Sequence, residues 1–171
     1  MTSAKVRLQV DVRFGDVITP DAANVDFPPL LDFPAPKLRA YPRETVVAEK
    51  LEAMAKLGQA NSRLKDFYDL AVLSHMLGFE GELLVRAIAA IFARRGTPLP
   101  TGLAVALTPE FSEDRMKSTQ WNAFLRKSGA PSRGDLRDAA ASIARFIKEP
   151  LAAAETKSTF VKRWAPGGPW A

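Results

Sequence analysis

The sequence predicts an α+β fold in which a small β element is followed by a mainly α-helical bundle. Three observations lead there. Residues 5–14, KVRLQVDVRF, alternate strictly, with Val6, Leu8, Val10, Val12 and Phe14 on one face and Arg7, Gln9, Asp11 and Arg13 on the other. Period-two alternation of this kind marks a half-buried strand. Prolines then crowd the chain at Pro20, Pro28, Pro29, Pro34, Pro36 and Pro42, and from Arg43 onward the apolar spacing becomes helical.

The strand ends at Gly15-Asp16, and one strand alone makes no stable sheet, so it must pair with something supplied elsewhere. Residues 17–42 read as an extended connector with room for a short edge strand, because proline removes a backbone donor and constrains its neighbour. Helices are expected near 43–57, 62–77, 81–95, 110–127 and 135–148. Gly58, Gly78, Gly96 and Gly129 follow four of them, where C-terminal stops belong, and Pro150 is expected to end the fifth. The tail KRWAPGGPWA reads as a turn-rich closing segment, and no internal repeat is visible.

A chain of 171 residues, 47% hydrophobic and 25% charged, is globular material long enough to bury a real core. The sequence has no cysteine and a single histidine, His75, which excludes disulfides and thiolate metal sites and argues against a histidine-based one. Its longest apolar run, AIAAIFA after Arg86, is far short of the ~20 residues that span a bilayer. The first residues, MTSAKVRLQVDV, lack an apolar signal core, so the expected location is the cytoplasm. A net charge of +5 favours an acidic partner, although the basic residues are dispersed rather than clustered.

The chemistry concentrates in residues 43–73. On a helical wheel of about 100° per residue, Lys50 falls within the stripe formed by Val46, Val47, Met54 and Leu57, with Arg43 two turns before it. Thr45, Glu49, Glu52 and Lys56 fall opposite, on the expected solvated face. A lysine so placed either snorkels, its stem packed and its head wet, or meets a carboxylate. In the next helix, which Ser62 would cap, Asp66 and Asp69 stand three residues apart on one face with Leu70, Leu73 and Leu77. Compensation of the helix dipole accounts for Asp66 well and for Asp69 less well, because Asp69 lies further in. With Lys50 facing them, the three side chains make either a structural ion network or one wall of a polar active site. His75 lies on the opposite side and reads as a packed or surface residue; Trp121, Phe124, Phe146 and Ile147 read as core.

The stretch LRAYPRETVVAEKLEAMAKLGQANSRLKDFYDL, with RLQVDVRFGDVITP and PLLDFPAPKLRAYP before it and WAPGGPW at the close, resembles the AbiEii/AbiGii-type nucleotidyltransferase toxins of bacterial toxin–antitoxin and abortive-infection systems. The resemblance covers nearly the whole chain, and ETVVAEKLEAM and SRLKDFYDL are its most specific blocks. It implies a nucleotidyltransferase palm, here a partial one at residues 1–42, followed by a helical domain at 43–171. It implies transfer of a nucleotide from an NTP, with Mg²⁺, to an acceptor such as tRNA, and a cognate antitoxin protein as partner. Lys50 matches the family's lysine motif, and Asp66, in the KDFYDL block that ends at Asp69, matches its last acidic motif. These three are the expected catalytic residues, with Lys50, Arg43 and Lys65 binding the nucleotide and Asp11, on its strand, facing the metal.

The family's core metal site is a glycine-serine turn with an Asp-x-Asp pair, and this sequence contains neither. The chain therefore reads as the C-terminal part of such an enzyme, with the strand at 5–14 standing late in the palm. The alternative is a non-catalytic helical module that keeps the nucleotide-binding or antitoxin-binding surface.

Overall fold

The structure is a computed structural model that describes residues 18–29, 31–131 and 134–171. The strand expected at 5–14, and with it Asp11, lies outside the described residues. The fold is α+β as expected, but the proline-rich connector is more ordered than the sequence suggests. It forms an antiparallel hairpin of β1 (Ala23–Asp26) and β2 (Lys37–Ala40), in which Ala23 pairs with Ala40 and Asp26 with Lys37. None of the six prolines lies within either strand, so the ladder loses no donor.

The helical part opens with α1 (Arg43–Leu57) and α2 (Leu64–Met76). Then come the two-residue strand β3 (Phe79–Glu80), α3 (Gly81–Arg95), the short α4 (Pro109–Ser112), α5 (Arg115–Ser128) and α6 (Leu136–Thr156). A last strand, β4 (Arg163–Trp164), pairs with β3. α1 packs chiefly against α3, while α2 and α3 pack against α6. The core between them holds Leu51, Met54, Phe67, Leu84, Ile88, Phe111, Ile143 and Phe146. Trp121 and Ile147 are buried there as expected, and Phe124 packs against its margin.

Four sequence expectations need correction. First, the helix expected at 110–127 is two helices, because Asp114 accepts a hydrogen bond from the Lys117 N–H and so caps a new start. Second, Ser62 does not cap α2; the side chain of the buried Asn61 accepts from the Arg63 N–H instead, at 2.8 Å. Third, Thr45 and Glu52 are buried rather than solvated. α1 is enclosed on about half its circumference, along an arc that runs from Met54 through Leu51 and Ala48 to Glu52. Lys50 therefore stands at the edge of the buried arc, its side chain 18% exposed.

The fourth correction concerns Pro150, which sits inside α6 instead of ending it. A proline in a helix leaves the carbonyl four residues earlier without its donor. Here that carbonyl belongs to Phe146, and the indole Nε1–H of Trp170 donates to it at 2.8 Å. The tail thus supplies the hydrogen bond that Pro150 withholds. A second indole does similar work one layer away, where Trp164 Nε1 and the Gly167 N–H both donate to the Ser74 carbonyl in the last turn of α2. The rings of Phe79, Trp164 and Trp170 surround Phe146 at 4.9, 5.0 and 5.8 Å between centroids. Two glycines permit this closure. A Cβ on Gly81 would lie 2.5 Å from the Phe160 ring, and one on Gly168, whose φ is +84°, would lie 2.5 Å from the Trp164 ring.

The Trp170–Phe146 bond generates a test. Trp170→Phe removes the donor and leaves a buried carbonyl unpaired, which should cost about 1–3 kcal/mol. Pro150→Ala restores a backbone donor for the same carbonyl, so Trp170→Phe should cost measurably less in that background. Urea denaturation of the four proteins reads the cycle, and strictly additive costs would show that the two donors do not share the carbonyl.

Candidate functional site

Lys50 projects from the middle of α1 toward α2, which offers Asp66 from its first turn and Asp69 from its second. The Lys50 ammonium donates to Asp66 Oδ1 at 2.6 Å and to Asp69 Oδ2 at 2.8 Å. The lysine is therefore paired with two carboxylates at once, and free snorkelling is excluded. Lys65 donates to the same Asp69 oxygen at 2.6 Å, the spacing of four residues along a helix bringing the two together.

Arg63 was missed in the sequence, although its i,i+3 spacing from Asp66 was the available signal. Its Nε lies 3.0 Å from Asp66 Oδ2, but at an angle that makes no hydrogen bond. That oxygen is consequently buried with an ion-pair neighbour and no hydrogen-bond donor. The cluster holds three cations (Lys50, Lys65, Arg63) and two carboxylates, a formal surplus of one positive charge.

Burial opposes the charge on both central groups, and the contacts overcome it. For Lys50, desolvation works downward, but the hydrogen bonds and charges of Asp66 and Asp69 together hold its pKa above the ordinary lysine value. For Asp69, burial works upward and the hydrogen bonds from Lys50 and Lys65 outweigh it, keeping the carboxyl below the usual carboxylate value. Both groups are thus firmly ionised at neutral pH.

The remaining expected residues sit elsewhere. Arg43 does not join the cluster; its Nε pairs with Glu44 at 3.1 Å, and its guanidinium lies 5.2 Å from the centroid of the Phe79 ring. His75 is exposed, with Nε2 3.3 Å from the Ser142 hydroxyl. A second ion cluster escaped the sequence reading altogether. Glu52, only 1% exposed, and Glu49 bind Arg95 at 2.7 and 2.9 Å, and Glu52 also accepts from the Thr97 hydroxyl. Burial works against the Arg95 charge, but the two glutamates raise its pKa above the ordinary value. The cluster ties α1 to the end of α3.

The described residues do not fit a Mg²⁺ site. Among them no three His, Asp or Glu side chains converge as metal ligands. Asp66 and Asp69 are already neutralised by cations, which an incoming Mg²⁺ would have to displace. No helix among the described residues is long and apolar enough to cross a membrane.

The fold and cluster define an α+β protein whose helical part presents a lysine gripped by paired carboxylates. The model of the AbiEii family, the nucleotidyl transferase toxin of type IV toxin–antitoxin systems, matches residues 1–159. The chain belongs to that family, which implies an antitoxin partner. Nothing among the curated proteins or the solved structures matches the chain.

The shifted groups set a pH dependence. Asp69, lowered from 3.8, contributes stability that is present above that value and lost as pH falls through its lower folded value. Lys50, raised from 10.5, contributes stability that is present below that value and lost as pH rises through its higher folded value. Lys50→Met should cost about 1–3 kcal/mol, between the worth of exposed and buried pairs. The difference between wild type and Lys50→Met should stay flat from about pH 5 to pH 9 and shrink outside that window. A difference unchanged at pH 3 would show that Asp69 is not what Lys50 stabilises.

Proposed function

We propose that the Lys50–Asp66–Asp69 cluster is one wall of a nucleotidyltransferase site, acting in the cytoplasm on an NTP and an acceptor such as tRNA. Residues 1–42 are then part of the palm and residues 43–171 the helical domain that follows it. The observation that carries this reading is the Lys50 ammonium held between two carboxylates, one of which keeps a buried oxygen without a hydrogen-bond donor.

Nucleotidyl transfer depends on positioning and on neutralising phosphate charge, so a permanently protonated lysine at the edge of solvent is suited to grip a triphosphate. When Lys50 turns toward phosphate, Asp69 keeps Lys65 as its counter-ion and stays ionised. Asp66 is the candidate to orient the acceptor hydroxyl, through the oxygen that Lys50 leaves when it turns away. Arg63 and Lys65, both more than half exposed, add positive charge at the rim for an anionic acceptor. Mg²⁺ would supply further charge neutralisation; Asp11, its expected contact, lies outside the described residues.

The sequence contains no Asp-x-Asp pair, so the chain is expected to bind NTP through Lys50 without transferring it. Lys50→Ala should weaken that binding about tenfold or more, the scale of one charge-assisted contact. In a longer chain that carries the glycine-serine turn and the Asp-x-Asp pair, transfer from labelled NTP to bulk tRNA should appear and be abolished by Lys50→Ala or Asp66→Ala. Robust transfer by the 171-residue chain would overturn the division of the site. NTP binding with no transfer in the longer chain would favour the non-catalytic binding module.

A further inference from the structure

Lys117 is buried on α5, yet no carboxylate is its partner among the described residues. Its ammonium donates to the backbone carbonyl of Asn61 at 2.7 Å and lies 4.8 Å from the centroid of the Phe111 ring. A buried ammonium costs free energy unless hydrogen bonds or charges compensate it, and here the compensation comes from one particular turn and one ring. Asn61 is 0% exposed and lies in the short connection between α1 and α2, the two helices that carry the ion cluster. Its side-chain oxygen accepts from the Arg63 N–H, and Arg63 in turn neighbours Asp66. The Asn61 side-chain nitrogen is buried without a partner, a penalty that an apolar residue there would avoid. The turn therefore keeps its asparagine at a cost, and the bond to Arg63 is the return.

We propose that Lys117 is a positioning residue: through the Asn61 turn it fixes where α2 begins, and hence the reach of Asp66 and Asp69 to Lys50. The inference deepens the proposed function, since it names a residue outside both site helices on which the grip of Lys50 depends. α1 and α2 pack mainly against other partners, α3 and α6 respectively, so the position of their shared connection bears directly on how the two helices meet. Losing the Lys117 ammonium lets the turn relax, and the start of α2 then shifts against α1.

The test uses the 171-residue chain and Lys117→Met, which keeps the stem and removes the charge. Competitive acetylation with acetic anhydride, read by mass spectrometry, reports how tightly Lys50 is held, with exposed Lys148 as the internal reference. Lys50 in folded Lys117→Met should react roughly threefold faster than in wild type, the scale of a loosened, partly exposed ion pair. NTP affinity should fall about tenfold, as it does when an outer partner of a binding group is removed. Should Lys117→Met fail to fold, Asn61→Ala, which keeps the carbonyl and loses the bond to Arg63, carries the same two readouts. A lower melting temperature with unchanged Lys50 labelling would overturn the proposal and leave Lys117 a purely stabilising residue. Faster labelling in a protein that binds no NTP even as wild type would sustain the positioning role and sink the nucleotide reading of the site.

Discussion

The Lys50 ammonium joins two helices that share a core but have different main packing partners. α1 rests mainly on α3 and is tied to its end by the Arg95 cluster, whereas α2 rests mainly on α6 and is closed at its far end by the tail. Where the two helices face each other, the principal polar contact is one cation shared by two carboxylates. Such a contact is directional and tightens or loosens with charge, unlike apolar packing. The place where the fold is held by charge is also the place where a phosphate would compete for that charge. Structure and proposed function therefore draw on the same side chains.

This arrangement separates the two ion clusters of α1. Glu52 is almost wholly buried and satisfied by a guanidinium and a hydroxyl, which suits a permanent structural tie. Lys50 is less buried, and Asp69 beside it is also held by the exposed Lys65. Cations pair with carboxylates in both, but one cluster is enclosed and the other borders solvent. That difference, more than the presence of charge, is why the Lys50 cluster and not the Glu52 one is proposed as the site.

Much of this was legible in the sequence, for local reasons. The bounds of α1 and α3 follow from helical periodicity ended by Gly58 and Gly96, both at positive φ. The meeting of Lys50 with Asp66 and Asp69 followed from shared faces on neighbouring helices. What was not legible depended on distant partners. Nothing near Pro150 announces that Trp170 will donate to the carbonyl it strands, so the helix was expected to stop there. Nothing in α1 announces that Arg95, far along the chain, will make Glu52 a buried residue. Lys117 was hidden for the same reason, since its acceptor is a backbone carbonyl in another element. Asp114 is the exception: its capping role was local and was overlooked because the apolar pattern runs on past it.

The clasp formed by the tail bears on how the chain is made. Trp164 and Trp170 complete hydrogen bonding at Ser74 and Phe146, and the backbone of Ala171 pairs in both directions with Arg163. During synthesis the helices emerge in order, and a domain folds as a unit once its parts are available. Here the carbonyls of α2 and α6 wait for residues that leave the ribosome later than either helix. The nascent helical part thus lacks these bonds until Trp164 and Trp170 have emerged, and the ring cluster around Phe146 is incomplete in the interval. The clasp closes only when the Trp170 indole reaches the Phe146 carbonyl.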